Sequence, residues 1–278
     1  IRNYGMVIVD ECHHVSAVNF ERILKYSNAR YVYGLTATPI RKDGHQPIIF
    51  MQCGPIRYSA DAKTQMASQT FERLLIPRFT NYRELTDDKK TYTQTIQGMS
   101  NDICRNTRII DDVCKALQDG RSPIILTNLT SHVEILATML TSKCKNVITL
   151  VGSESVKEKR LKMERLQNIP RTELLAIVAT GKYVGEGFDY PRLDTLFLTL
   201  PVSWKGIVAQ YAGRLHREYP GKKDVIIYDY IDIHLSLCDT MYKRRLKGYA
   251  AVGYKLSTIN PTNLFHDSPD IIFNGMNF

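Results

Sequence analysis

The chain has 278 residues, is 44% hydrophobic and 23% charged, and so matches an ordinary soluble globular protein rather than a disordered tail, a collagen-like fibre or a coiled coil. Its 37 Lys+Arg against 28 Asp+Glu leave a net charge of +9, a balance that suits a polyanionic partner, nucleic acid first, or serves solubility alone. The apolar runs 174–178 and 196–200 are far too short to span a bilayer, and no segment reads as a secretory signal.

Six cysteines stand at 12, 53, 104, 114, 144 and 238. None has a C-x-x-C spacing, so neither a disulfide framework nor a zinc ribbon is expected, and a reducing, cytoplasmic setting fits best. The opening Ile1-Arg2-Asn3-Tyr4 reads as the interior of a longer protein.

Met6–Val9 is a short apolar run that ends in Asp10-Glu11, the pattern of a buried strand delivering acids at its carboxyl end. Tyr31–Leu35 is a second such run, closed by Thr36-Ala37-Thr38-Pro39. The stretch from Ser16 to Ser27 predicts a crossover helix, and two buried strands around a helix predict a parallel βαβ unit. From Ile48 to Phe79 short strand-like pieces, Gly54-Pro55 and Pro77 mark the exit from one domain into another.

Beyond it Ile109, Ile110, Val113 and Leu117 repeat at helical spacing, with Gly120 as a stop. Pro123–Thr127, Asn146–Val151, Leu174–Ala179, Thr195–Leu200 and Asp224–Tyr230 predict strands. Helices are expected at Val133–Leu140, from the Ser155-x-x-Glu158 capping box to Leu166, at Ile207–Leu215 and from His234 to Gly248. Strands alternating with helices predict an α/β fold with parallel sheets, whose ligands bind at the carboxyl ends of the strands. The organisation expected is residues 1–58 as the last part of one α/β domain, 59–256 as a complete second one, and 257–278 as an irregular tail.

Four clusters carry chemistry. In Val9-Asp10-Glu11-Cys12-His13, one carboxylate can hold a hydrated Mg²⁺ and the next can polarise an attacking water. Thr36-Ala37-Thr38 places small hydroxyls at a strand exit, where they can hydrogen-bond a neighbouring acid. Thr180-Gly181-Lys182, leading to Gly187-Phe188-Asp189, combines glycines that admit a phosphate or ribose with a lysine and an acid. In Gln210-Tyr211-Ala212-Gly213-Arg214-Leu215-His216-Arg217, the two arginines share one helix face, a clamp for phosphoryl oxygens. Each alone is also what a solvated strand end, a glycine-rich loop or a surface arginine pair looks like.

In this order the four clusters resemble the superfamily 2 helicases and translocases. Asp10 to His13 resembles the DExH box, Thr36 to Thr38 the third motif, Thr180 to Asp189 the fifth, and Gln210 to Arg217 the sixth. The details lean toward the branch with excision-repair helicases and restriction-enzyme motor subunits. The resemblance implies RecA-like domains, the end of a first and all of a second, and a parent enzyme that is an ATP-dependent helicase or duplex translocase, with DNA preferred over RNA. It implies ATP and Mg²⁺, the metal organised by Asp10. Glu11 would activate the attacking water, and His13 would link the nucleotide to Gln210. Thr36 and Thr38 would couple hydrolysis to domain movement. Thr180 and Lys182 would touch the nucleic-acid backbone. Gly187 and Asp189 would lie by the nucleotide, Asp189 toward the ribose, and Arg214 and Arg217 would reach the γ-phosphate. Tyr211 stands where many relatives carry another arginine.

The phosphate-cradling string G-x-x-x-x-G-K-[ST] does not occur in the sequence, so the chain by itself is expected not to hydrolyse ATP. Three other readings stand beside this one. Cys12, His13 and His14 invite a metal, but neighbours on an extended chain point to opposite faces. The basic run Lys243, Arg244, Arg245, Lys247 would serve a non-catalytic nucleic-acid binder, or only a solvated last helical turn. Relatives in this branch carry nuclease or phospholipase-D-like domains, for which these residues supply no site.

Overall fold

The computed structural model describes residues 2–12, 18–36, 46–59, 71–84, 91–185, 188–202 and 207–257. The chain divides into two compact units, Ile1–Gln65 and Met66–Phe278.

In the first unit, strand β1 (Met6–Val9) pairs in parallel with β2 (Tyr31–Gly34). Helix α1 (Val18–Lys25) connects them, and α2 (Gln46–Cys53) follows. The alternation of the strands sorts their side chains. Val7, Val9 and Val32 pack with Cys12, Leu24, Ile49 and Cys53 into a small core. Met6 beside Tyr31, and Ile8 beside Tyr33, stand on the other face and are about half exposed, where a parallel sheet is ordinarily covered. Cys12 packs so closely on Gly34 that a Cβ there would lie 2.7 Å from its sulfur. Cys12 is thus a core residue, and burial pushes its thiol up.

The second unit is a seven-stranded, wholly parallel sheet in the order β5-β6-β4-β7-β8-β3-β9. The strands are β3 (Glu72–Thr80), β4 (Pro123–Thr127), β5 (Asn146–Leu150), β6 (Leu175–Thr180), β7 (Thr195–Leu198), β8 (Asp224–Asp232) and β9 (Lys255–Leu256). The helices are α3 (Tyr92–Asn101), α4 (Ile103–Gln118), α5 (Thr130–Thr141), α6 (Val156–Gln167), α7 (Gly181–Gly185), α8 (Ile207–Leu215) and α9 (Ser236–Ala251). Alternate strand residues feed two cores. Ile125, Ala176, Val178 and Phe197 meet α4 and α5 on one face. Ile124, Leu126, Ile177, Leu196 and Ile227 meet α6, α7, α8 and α9 on the other. This is the doubly wound α/β architecture that the strand–helix alternation predicts.

The local signals act as expected. Ser155 caps α6 and Glu158 reaches back to the Ser155 N–H at 2.8 Å, a complete capping box. Gly120 follows α4 with φ 75°, a backbone state glycine adopts without penalty.

One expectation needs correction, and one helix was not foreseen. The stretch 48–79 is not strand-like fragments alone, since Gln46–Cys53 is helical and Glu72–Thr80 is a full strand of the large sheet. Pro77, expected to mark the passage between domains, lies inside β3. Among the described residues β9 pairs only with Leu74 and Leu75, so beyond them β3 has no partner on that side among these residues and can spare an N–H. Helix α3 also escaped the periodicity reading. Its mixed TYTQTIQGMSN face is started by a capping box between Thr91 and Gln94.

Buried ion pairs fasten the helices to β8. Arg105 of α4 holds Asp232, Nε to Oδ1 at 2.9 Å, and also donates to Thr199 O. Arg245 of α9 holds Asp229 with Nε and Nη2 at 2.8 and 2.9 Å and donates to Val202 O at 3.0 Å. Arg78 and Tyr230 both donate to Asp112.

Candidate functional site

The acids of the first unit stand at the carboxyl end of β1. The backbone turns sharply there. Glu11 adopts φ 48°, a left-handed state that is uncommon outside glycine, and its N–H donates to Asp10 Oδ1 at 2.9 Å. Strain of this kind costs about 1–3 kcal/mol and concentrates where side chains must be aimed. Two backbone bonds tie this turn to the exit of β2, from Leu35 N to Val9 O and from Cys12 N to Leu35 O, both 2.9 Å. Asp10 and Glu11 are thereby held beside Leu35 and Thr36, bringing the first two predicted clusters together at adjacent strand ends. His13 and Thr38 lie outside the described residues.

In the second unit Thr180 closes β6 and Gly181 opens α7, so Lys182 emerges at the carboxyl end of the strand next to the β5 edge of the sheet. The Lys182 stem packs beside Gly152, at the exit of β5, where an added Cβ would meet its Cδ at 3.5 Å. Thr180 is set deeper, 7% exposed, and its hydroxyl has no hydrogen-bond partner among the described residues. Gly187 lies outside the described residues.

Arg214 closes α8, in which Gln210 also falls, and Arg217 follows in the turn beyond. Leu215 is fully buried, and His216 turns onto Tyr254, Nε2 to Oη at 3.0 Å. Burial, Arg73 and Lys222 lower the His216 pKa to about 4, so its ring is neutral at pH 7. With those two residues anchored, Arg217 is left on the surface. Its Nε stands 3.3 Å from Asp189 Oδ1, both side chains about half exposed. Two residues predicted to serve different parts of a nucleotide thus meet each other. An exposed pair of this kind stabilises by at most about 1 kcal/mol, weak enough to yield to a ligand.

Tyr211 has a structural reason. It is nearly buried in α8 and lies over Gly181. A Cβ at Gly181 would meet the Tyr211 hydroxyl and would sit 3.0 Å from its Cζ. The residue that departs from the common arginine therefore packs the helix of Lys182 against the helix of Arg214. Burial pushes its phenol up to about 12.

The basic run of α9 is not one cationic face. Arg245 is 1% exposed and points inward to Asp229, while Lys243 pairs with Asp239 at 2.7 Å. The run also sits in the body of the helix rather than in its last turn. Only Arg244 and Lys247 of the four remain as candidates for a nucleic-acid surface. Sequence reasoning passed over Lys222, whose only signal is the Tyr219-Pro220-Gly221 turn before it. Among the described residues no three His, Cys, Asp or Glu cluster to hold a metal, and no helix is long and apolar enough to cross a membrane.

Residues 1–41 match the family described as Type III restriction enzyme, res subunit. Among curated proteins, the chain is 25% identical over 229 residues to a probable helicase of Escherichia phage T5, covering 82% of this chain and 49% of that protein. It is 25% identical over 248 residues to a putative ATP-dependent RNA helicase of Acanthamoeba polyphaga mimivirus, covering 84% and 44%. The chain thus spans about half the length of the curated relatives it matches. Among solved structures, T4 UvsW shares the fold with a TM-score of 0.54 at 22% identity, over 92% of this chain and 54% of that one.

Proposed function

We propose that the chain, which is similar to superfamily 2 helicases, is part of an ATP-driven motor that moves along or opens duplex nucleic acid. The observation that carries this reading is the Asp10–Glu11 turn: adjacent carboxylates at the end of a parallel strand, in a strained backbone, tied to the exit of the neighbouring strand. A plain nucleic-acid binder has no use for such a turn, nor for Arg217 presented beside Asp189.

In this reading Asp10 would hold Mg²⁺, and Glu11 would orient the attacking water and accept its proton. Their adjacency suits two carboxylates with divided tasks. The bound Mg²⁺ would neutralise charge on the phosphates. Arg214 and Arg217 stabilise charge developing on the transferred phosphoryl group, Gly187 and Asp189 meet the nucleoside, and His13 with Gln210 relays its presence. Thr36 and Thr38 couple the acids to movement, and Thr180 and Lys182 grip the nucleic-acid backbone. The deep setting of Thr180 makes Lys182 the foremost contact.

The sequence has no phosphate-cradling glycine loop with its lysine. We therefore place that loop in additional sequence of a longer polypeptide, which would also cover the apolar face of Met6, Ile8, Tyr31 and Tyr33. The chain alone is then inactive as an ATPase, and any nuclease or phospholipase-D-like activity lies outside these residues. The preference for DNA over RNA rests on the resemblance to excision-repair and restriction motors, and one named relative is an RNA helicase. Comparing stimulation by duplex DNA and duplex RNA decides between them.

The test is Glu11→Gln in the full-length polypeptide. ATP binding persists, while nucleic-acid-stimulated phosphate release falls by about 10²–10⁴-fold, the usual contribution of a general base. Unchanged turnover overturns the assignment of Glu11.

A further inference from the structure

Lys222 lies beneath the guanidinium-bearing segment and holds three backbone carbonyls. Its Nζ is 2.9 Å from Leu215 O, 2.7 Å from Arg217 O and 2.8 Å from Pro191 O. The first two belong to the end of α8 and the turn beyond it, where a helix leaves carbonyls without internal partners. The third belongs to the loop that presents Asp189, two residues earlier in the chain. An ammonium has three N–H donors and no acceptor, so the three carbonyls use its whole capacity. A cation at a helix C-terminus is also favoured by the helix dipole.

The sequence brings the lysine there by a tight turn. Lys222 N donates to Tyr219 O at 3.1 Å, Pro220 takes the second position, and Gly221 adopts φ 86° at the third. This is the residue pattern of a type II turn, in which glycine supplies the positive φ. The turn folds the chain back under α8 so that the side chain points up into its end.

Both sides of this staple are otherwise fixed. On the α8 side, Leu215 is in the core and His216 is held by Tyr254. On the loop side, Phe188 packs against Tyr183, Tyr190 donates to Leu166 O, and Leu193 is fully buried. Lys222 joins the two sides at the point from which Arg217 and Asp189 emerge, 3.3 Å apart.

We propose that Lys222 is a positioning residue for the phosphate-directed Arg217: by cross-linking the end of α8 to the Asp189 loop, it sets where Arg217 stands relative to Asp189. This rests on the motor reading above. It adds that Arg217 is aligned by a single ammonium touching three carbonyls rather than by α8 alone. A misplacement of about 1 Å in a group that acts on the transition state can cost about 10² in rate, so the lysine acts on turnover without touching the nucleotide.

The test uses the full-length polypeptide in a four-member cycle: wild type, Lys222→Met, Arg217→Ala and the double variant, with Lys222→Arg alongside. Lys222→Met keeps the apolar stem and removes the donors. Its kcat for nucleic-acid-stimulated ATP hydrolysis is expected to fall by about 10–100-fold, within the range that misplaced catalytic groups cause. KM for ATP changes by less than about threefold, and Lys222→Arg, which restores charged donors, recovers most of the loss. In the Arg217→Ala background Lys222→Met adds little, because the group it positions is gone.

Full turnover in Lys222→Met, or losses that multiply in the double variant, overturns the proposal while leaving the motor reading intact. A wild type that hydrolyses no ATP, or an Arg217→Ala variant as fast as wild type, overturns the motor reading instead. Circular dichroism of each variant reports its fold. If Lys222→Met does not fold, Lys222→Gln, which retains an amide donor, replaces it in the same cycle under the same criteria.

Discussion

Acidification gives a sharp test of the second unit, because His132 is fully buried in a hydrogen-bond chain that admits only the neutral ring. Asn106 commits its Nδ2 to Ser100 O at 2.8 Å, so its Oδ1 must accept from His132 Nε2–H at 2.9 Å. His132 Nδ1 then accepts from the Thr127 hydroxyl at 2.9 Å, which itself accepts from Leu129 N at 3.4 Å. Burial, with Arg105 nearby, lowers the His132 pKa from 6.5 to about 3. Below pH 6.5 the unfolded chain takes up a proton that the folded chain refuses until about pH 3. The unfolded state binds more protons, so stability falls as pH drops through that window. At 1.36 kcal/mol per pH unit, the loss reaches about 3 kcal/mol by pH 4.5. His216, with its pKa near 4, loses stability in the same direction, as do other groups shared by any variant.

The assay is therefore a difference: urea unfolding of wild type and His132→Gln by circular dichroism, from pH 7 to 4.5. Wild type is the more stable at pH 7, and the gap between the two should narrow by about 3 kcal/mol across that range. A gap that stays constant refutes the reasoning. So does an imidazole proton resonance of His132 that titrates near pH 6.5.

Two further stability predictions follow from buried contacts. Asp232→Ala leaves the Arg105 guanidinium without its carboxylate in the core and should cost about 3–5 kcal/mol in urea unfolding. A loss under 1 kcal/mol contradicts the pairing. Gly181→Ala drives a methyl into the Tyr211 ring and should destabilise by about 1–3 kcal/mol. Adding Tyr211→Leu should recover part of that loss, whereas additive losses would mean that the two residues do not share the space.

The fold was legible wherever one period dominated a segment. Pro123–Thr127 and Ile207–Leu215 are found at the bounds their apolar patterns predict. The elements that escaped are those in which composition and context diverge. β3 carries a proline and two arginines, and its place in the sheet is decided by β8, about 150 residues later in the chain. No local window holds that information. The candidate site was legible as residue types: acids and glycines at strand ends, and arginines at the end of a helix. What the sequence did not reveal is how these are aimed: the left-handed Glu11, the meeting of Arg217 with Asp189, and the inward turn of Arg245 that removes it from the basic surface.

Cations hold the backbone at the exit of β7 and at the end of α8. Buried ion pairs seldom add net stability compared with apolar packing, because desolvation offsets their attraction. Yet here two of the cations reach the backbone just beyond β7, residues 199–202. Arg105 donates to Thr199 O, Tyr92 and Asn128 each donate to Pro201 O at 3.2 Å, and Arg245 donates to Val202 O. Asp232 and Asp229, both on β8, hold the two arginines in place. At the end of α8 Lys222 takes the carbonyls of Leu215 and Arg217. A strand exit packed by apolar side chains alone could slide along its neighbours at little cost. One whose carbonyls are gripped by fixed guanidinium groups cannot move without leaving buried donors unpaired, at about 1–3 kcal/mol each. The polar interior of this unit therefore exchanges some stability for a fixed exit of β7 and a fixed carboxyl end of α8.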